Sequence, residues 1–166
     1  IHRSPLSDDE AEEQRGHPPP VPKEAIVIGL GPMGRQAASQ LDTIGVDVCL
    51  IDLSPVNLHA YAQQGFRTVS GDAGDPEVLD RADAAHASLA VVCVPEDRIA
   101  LQIVKTLSRL NPRCAVVVRC RYQANRSALE NVGAQSVVSE EVEASVALLR
   151  LLDRMNDPEH PSSDRG

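Results

Sequence analysis

The chain has 166 residues with 16 Lys and Arg against 24 Asp and Glu, a formal charge of −8, which argues against a nucleic-acid backbone as partner. Hydrophobic residues make up 42% and aromatics only 2%, so the single domain that this length supports has an aliphatic core. No apolar run approaches the roughly 20 residues of a membrane-spanning helix, no signal peptide is visible, and a start at Ile1 rather than Met is expected of a piece excised from a longer protein.

Residues 1–23 are acidic and then proline-rich, and residues 156–166 are similar in character. Neither stretch can bury apolar surface, so both are expected to be disordered, the first as a linker. Their histidines, His2, His17 and His160, are not expected to bind metal. The foldable domain is expected to span 24–155.

Apolar runs at 25–29, 47–52, 88–94 and 114–120, with shorter ones at 67–71 and 135–139, read as six buried parallel strands. Helices fill the gaps. Ser54-Pro55 and Asp75-Pro76 are start signals, and Gly45, Gly65 and Gly133 are stops. Together these elements predict an α/β, Rossmann-type doubly wound sheet with strand order 3-2-1-4-5-6.

The first strand runs into "GLGPMG". Gly29 would make the tight turn, Gly31 would let a phosphate approach the backbone, and Gly34 would let the next helix pack on the sheet. Pro32 opens that helix at no cost, so its remaining free N–H groups and dipole face an anion. Leu30 and Met33 fill the loop between them. Asp52 ends the second strand about 20 residues on, where a carboxylate grips the ribose hydroxyls and repels a 2′-phosphate. Leu53 follows it, not Arg. The pattern favours NAD(H) or another adenine nucleotide over NADP.

Farther along, "SGDAGDP" places Asp72 and Ala73 at the carboxyl edge of the sheet, as an adenosine contact or as a plain turn. "VCVPEDR" leaves Val94 and Pro95 at the lip, shaped to cover a nucleotide. Of the four cysteines, Cys49, Cys93 and Cys114 lie in or at the start of apolar runs and read as small buried thiols. Cys120 stands between Arg119 and Arg121, where positive charge would lower a thiol pKa if the arginines faced it. Those two arginines, two apart at a strand end, leave the same face and need either an anion or acidic partners. The helix expected at 139–155 opens on Ser139 with Glu140 and Glu141 in its first turn. Its apolar residues cover more than one stripe and suit a two-fold contact.

The motifs "IVIGLGPMG", "LIDLSPVNL", "GDAGDPEVL", "AVVCVPED", "NPRCAVVVRCR" and "NVGAQSVVSEE" resemble those of the RCK, or TrkA N-terminal, domain over about 23–155. Within that group the chain is similar to the cytoplasmic domain of Kef-type potassium efflux systems. The resemblance implies a regulatory rather than catalytic domain that binds AMP or NAD(H), with ATP or ADP as other ligands. It implies that Gly29, Gly31 and Gly34 form the phosphate turn, Asp52 the ribose acid, and Asp72 with Ala73 the adenosine contact. Arg119 would lie near the phosphates, and Arg121 near a glutathione-like second ligand. It further implies a crossover helix at 139–155 joining a homodimer. The domain would act on a membrane-embedded potassium transporter, in cis or in trans, at the cytoplasmic face of the membrane. Gly74 replaces a frequent Thr, Pro32 and Met33 replace a basic residue of the glycine loop, and no second RCK subdomain follows.

Two other readings stand beside this one. An NAD-dependent oxidoreductase fragment needs a general acid or base near the nicotinamide, and His59, His86, Tyr61, Tyr122 and Lys105 form no constellation for it. A free-standing gating subunit of a Trk- or Ktr-type uptake channel is the other.

Overall fold

The structure is a computed structural model that describes residues 21–156. The expected tails therefore lie outside the described residues, apart from the last few residues of the linker and Asn156. Six strands form one parallel sheet: β1 (Glu24–Ile28), β2 (Asp47–Asp52), β3 (Arg67–Ser70), β4 (Leu89–Val92), β5 (Ala115–Cys120) and β6 (Ser136–Ser139). Their order is β3-β2-β1-β4-β5-β6, as the sequence predicts. The helices are α1 (Pro32–Thr43), α2 (Pro55–Gln63), α3 (Pro76–Arg81), α4 (Asp97–Leu110), α5 (Arg126–Asn131) and α6 (Glu140–Met155).

Side chains alternate across a strand, and this alternation sorts the core into two layers. Ala25 and Val27 of β1, with Val48 and Leu50 of β2, pack against Ala38 of α1 and Leu58 of α2. Ile26, Ile28, Cys49 and Ile51 face the other way, onto Val78 and Leu79 of α3 and onto α4 and α5. On α4 the buried residues are Ala100, Ile103, Val104 and Leu107, the i, i+3, i+4, i+7 stripe of a helix laid on a sheet. Each fully buried Ile, Leu or Val contributes about 1.5–3 kcal/mol.

The sheet is not covered evenly. β1 is buried almost throughout, but β5 and β6 alternate, with Ala115, Val117, Arg119 and Val138 only partly covered or exposed. Helices α1 and α2 cover the β1–β2 half of that face, so the expectation of a sheet buried on both sides fails at β5 and β6.

Helix ends follow local chemistry, with one correction. Asp75 caps α3 by accepting the N–H of Glu77 at 2.9 Å, and Ser139 caps α6 by accepting that of Val142. Ser54 occupies the cap position of α2 but makes no side-chain cap bond. Asp52 serves that end instead, its Oδ1 accepting the N–H of Ser54 at 2.8 Å and the amide of Asn57 at 3.2 Å.

Strand register brings the functional edge together. Ile28 lies level with Ile51 and Val92, Asp52 with Ser70, and Arg119 with Val138. Gly29, Asp52, Gly71, Cys93, Arg119 and Glu140 therefore all emerge along the carboxyl edge. The strand order reverses between β1 and β4, where a crevice opens in such sheets.

Candidate functional site

The glycine turn is built from three different constraints. Gly29 has φ +91°, and a Cβ there would stand 3.0 Å from the Cys93 carbonyl group. A Cβ on Gly34 would lie 1.7 Å from the carbonyl oxygen of Gly29, so helix and turn interlock only without a side chain. Around Gly31 nothing stands within 4 Å of a built Cβ. That open space lies before the first turn of α1, whose N–H groups lack intrahelical partners. A cradle that a side chain would fill is what an incoming phosphate requires.

Two cavities flank this turn. The first, of about 280 Å³, is walled by Ile28, Ile51, Leu53, Ala73, Val94 and Ile99, with Asp52, Asp72 and Glu96 supplying polar groups. The second, of about 580 Å³, runs past Gly31, Pro32 and Met33 to Cys93, Arg119 and Glu140. Gly29, Asp52 and Pro95 line both. The first is an apolar slot, and the second is also largely apolar but carries the charged groups of Arg119 and Glu140; the two meet at Asp52 and the glycine turn.

Asp52 is the hinge between them. Its Oδ2 accepts the N–H of Leu30 at 2.8 Å, while Oδ1 is taken by Ser54 and Asn57. A carboxylate offers about four acceptor sites, so one remains beside Leu30 for a sugar hydroxyl. Asp72 closes its own turn by accepting the Gly74 N–H at 2.8 Å and also lines the first cavity.

The two arginines part company. Arg119 lines the second cavity, donating to Glu140 through Nε at 2.7 Å and to the Val94 carbonyl through Nη1 at 2.9 Å. Acidic pairing is thus what compensates it. Arg121 lies outside both cavities, with its guanidinium 5.5 Å from the centre of the Tyr122 ring. Cys120 faces the core, fully buried, and burial pushes its thiol up rather than down. Burial does the same to Cys93, against the opposing pull of Arg119.

Apart from Gly34, which holds the turn, and Arg121, every residue singled out from the sequence for ligand binding lines one of the cavities. Glu140, which lines the second cavity, and Asp97, which binds the turn after β5, are neighbours of the site that the sequence does not single out for it. Asp97 accepts the N–H of Arg121 at 2.7 Å and of Tyr122 at 3.2 Å, and the amide of Asn125 at 2.6 Å. Burial raises its pKa, but those hydrogen bonds outweigh burial and hold the carboxyl below its ordinary value. No His, Lys or Tyr lines either cavity, and no cluster of potential metal ligands occurs among the described residues.

The fold and its edge define a Rossmann-type domain. The family model of the TrkA-N domain matches residues 25–140, and the chain belongs to that family. The putative cation/proton antiporter YbaL of Escherichia coli K12 is 24% identical over 146 residues, 88% of this chain but 26% of YbaL. The crystal structure of the TrkA-N domain of YbaL superposes with a TM-score of 0.76 at 24% identity, covering 79% of this chain and 97% of that one. The glutathione-regulated potassium-efflux protein KefC of Escherichia coli O157:H7 is 23% identical over 126 residues, 76% of this chain and 20% of KefC. The Kef carboxyl-terminal domain of Shewanella denitrificans in its AMP-bound form superposes with a TM-score of 0.70 at 23% identity, covering 81% and 82%. The match thus spans about a quarter of YbaL and a fifth of KefC. No described helix is long and apolar enough to cross a membrane.

Proposed function

We propose that this chain is the nucleotide-sensing regulatory domain of a Kef-type potassium efflux system, gating a membrane transporter through ligand-dependent rearrangement of a dimer. The observation that carries the reading is the joint between the two cavities. The apolar slot over Ala73 and Val94, Asp52 and the open cradle at Gly31 offer a base pocket, a sugar acceptor and an anion seat in the order in which AMP or NAD(H) would need them. The AMP-bound Kef domain has the same fold.

The residues would bind and not react. Asp52 accepts a ribose hydroxyl, the amides after Gly31 take the phosphate, and Val94 and Pro95 cover the base. The lining carries no His, Lys or Tyr to move a proton at a nicotinamide, which favours a sensor over an oxidoreductase. A signal then arises from differential binding to two arrangements of the domain. The α6 helix suits the second copy, since its apolar residues from Val146 to Met155 are exposed.

The test is calorimetry with AMP and NAD(H). Asp52→Ala should weaken binding at least about tenfold, the cost of one charge-assisted hydrogen bond, while circular dichroism shows a folded domain. Unchanged affinity in the variant would remove the ribose role and the reading with it.

A further inference from the structure

We infer that Glu140 sets the charge limit of the ligand, so that this site takes AMP or a dinucleotide and disfavours nucleoside di- and triphosphates. The inference rests on the nucleotide reading above and goes beyond it by naming a discriminating residue and a ligand class.

The argument starts from the charges along the second cavity. Along it, the lining residues that carry formal charge are Asp52, at the joint with the first cavity, and Arg119 and Glu140. Arg119 is the one cation among them, and Glu140 already holds it through both Nε and Nη2. The pair is only part-buried, with 17% of the Arg119 side chain and 35% of the Glu140 side chain exposed, so both partners face the channel. Arg119 is further fixed by the Val94 carbonyl at 2.9 Å. A distal phosphate entering here meets a guanidinium already neutralised, and the Glu140 carboxylate that neutralises it.

Ligands differ in what they send into that space. AMP ends at its first phosphate, over the amides of α1. A dinucleotide carries a diester pyrophosphate, one charge on each phosphorus, followed by a neutral ribose and a ring that is uncharged or cationic. Glu140 tolerates either. ADP and ATP instead project further anionic phosphate toward Glu140, and binding them there requires Arg119 to be pulled from its partner. Glu140 is a specificity residue in this account, and it is also the first residue of α6. An occupant of the channel therefore meets the helix whose apolar face is exposed.

The experiment is magnesium-free titration calorimetry of the 166-residue chain with AMP, NAD⁺, ADP and ATP. The chains compared are wild type, Glu140→Gln and, as a control of equal charge change one residue away, Glu141→Gln. Wild type is expected to bind AMP and NAD⁺ at least about tenfold more tightly than ATP, the scale of one unit charge at close range. Glu140→Gln should narrow that ratio several-fold, and Glu141→Gln should leave it nearly unchanged. Equal wild-type affinities, or a ratio that Glu140→Gln does not move, overturn the charge limit while AMP binding preserves the nucleotide reading. If none of the four binds, both are overturned.

Discussion

Gly34 and Gly29 are locked face to face: the Gly29 carbonyl oxygen occupies the place where a Gly34 Cβ would stand. Gly31, two residues from Gly29, has φ −69° and open space in front of it. Alanine should therefore act oppositely at the two sites. We predict that Gly34→Ala costs about 2–3 kcal/mol by forcing α1 off the sheet, a drop in Tm of about 4–12 °C. Gly31→Ala should change Tm by little, yet weaken AMP binding by crowding the phosphate seat. Thermal denaturation and calorimetry on both variants check this, and equal loss of stability would mean that Gly31 is structural.

Asp97 gathers the strand-five exit onto the head of α4. Its three accepted hydrogen bonds hold the turn at 121–125 against the loop that follows β4. Because folding lowers its pKa below the ordinary 3.8, the folded protein binds fewer protons than the unfolded chain near that pH. The stabilisation is present above the unfolded value and is lost as pH falls through the folded one. Asp97→Asn should cost about 1–2 kcal/mol at neutral pH, and the gap to wild type should close below pH 4. Urea midpoints across pH 3–7 measure it, and a gap independent of pH would assign the loss to packing.

The fold and half of the site were legible because they are written in local pattern. Continuous apolar runs, Pro after Ser or Asp, and Gly where φ turns positive lie within a few residues of one another. The place of Asp52 beside the glycine turn followed from its distance past the glycines. What escaped was non-local. Glu140 reads locally as an acid that suits a helix dipole, and only the pairing of Arg119 with Val138 shows that it stands beside the arginine. Strand register was the missing signal, since it sets the start of α6, directly after β6, beside the end of β5. Asp97 hid for the same reason, because its partners lie 24 to 28 residues away. Ser54 misled because its cap position was real while its hydroxyl went unused.

The cysteines bear on how the chain meets oxidants. All four are free and buried, and burial pushes Cys114 up to about 11. Thiolate is the reactive species, so raised values make slow thiols. Ellman's reagent at pH 8 should find fewer than about one fast-reacting thiol in the native chain and all four after denaturation. Cys93 borders the second cavity, so it should be the first to react, and AMP should slow it. A fast thiol at Cys120 would show that Arg119 and Arg121 govern it after all.

The last helix makes the most exposed claim of the structure. None of its residues is buried, and Leu148 and Leu152, four apart on one face, are 58% and 50% exposed. Leu149, Leu151 and Met155 extend the apolar surface, and Val138 and Val117 leave the nearby sheet face incompletely covered. So broad an apolar surface is more than scattered exposed residues explain, and a two-fold partner would bury both copies of it at once. Sedimentation equilibrium should give twice the 17.8 kDa mass of the chain. Leu148→Glu with Leu152→Glu should give the monomer with its Tm within a few degrees, because neither side chain supports its own core. Nucleotide affinity then separates the two roles of α6. A monomer that binds AMP unchanged places the site within one chain, whereas a monomeric wild type would remove the dimer from the mechanism proposed above.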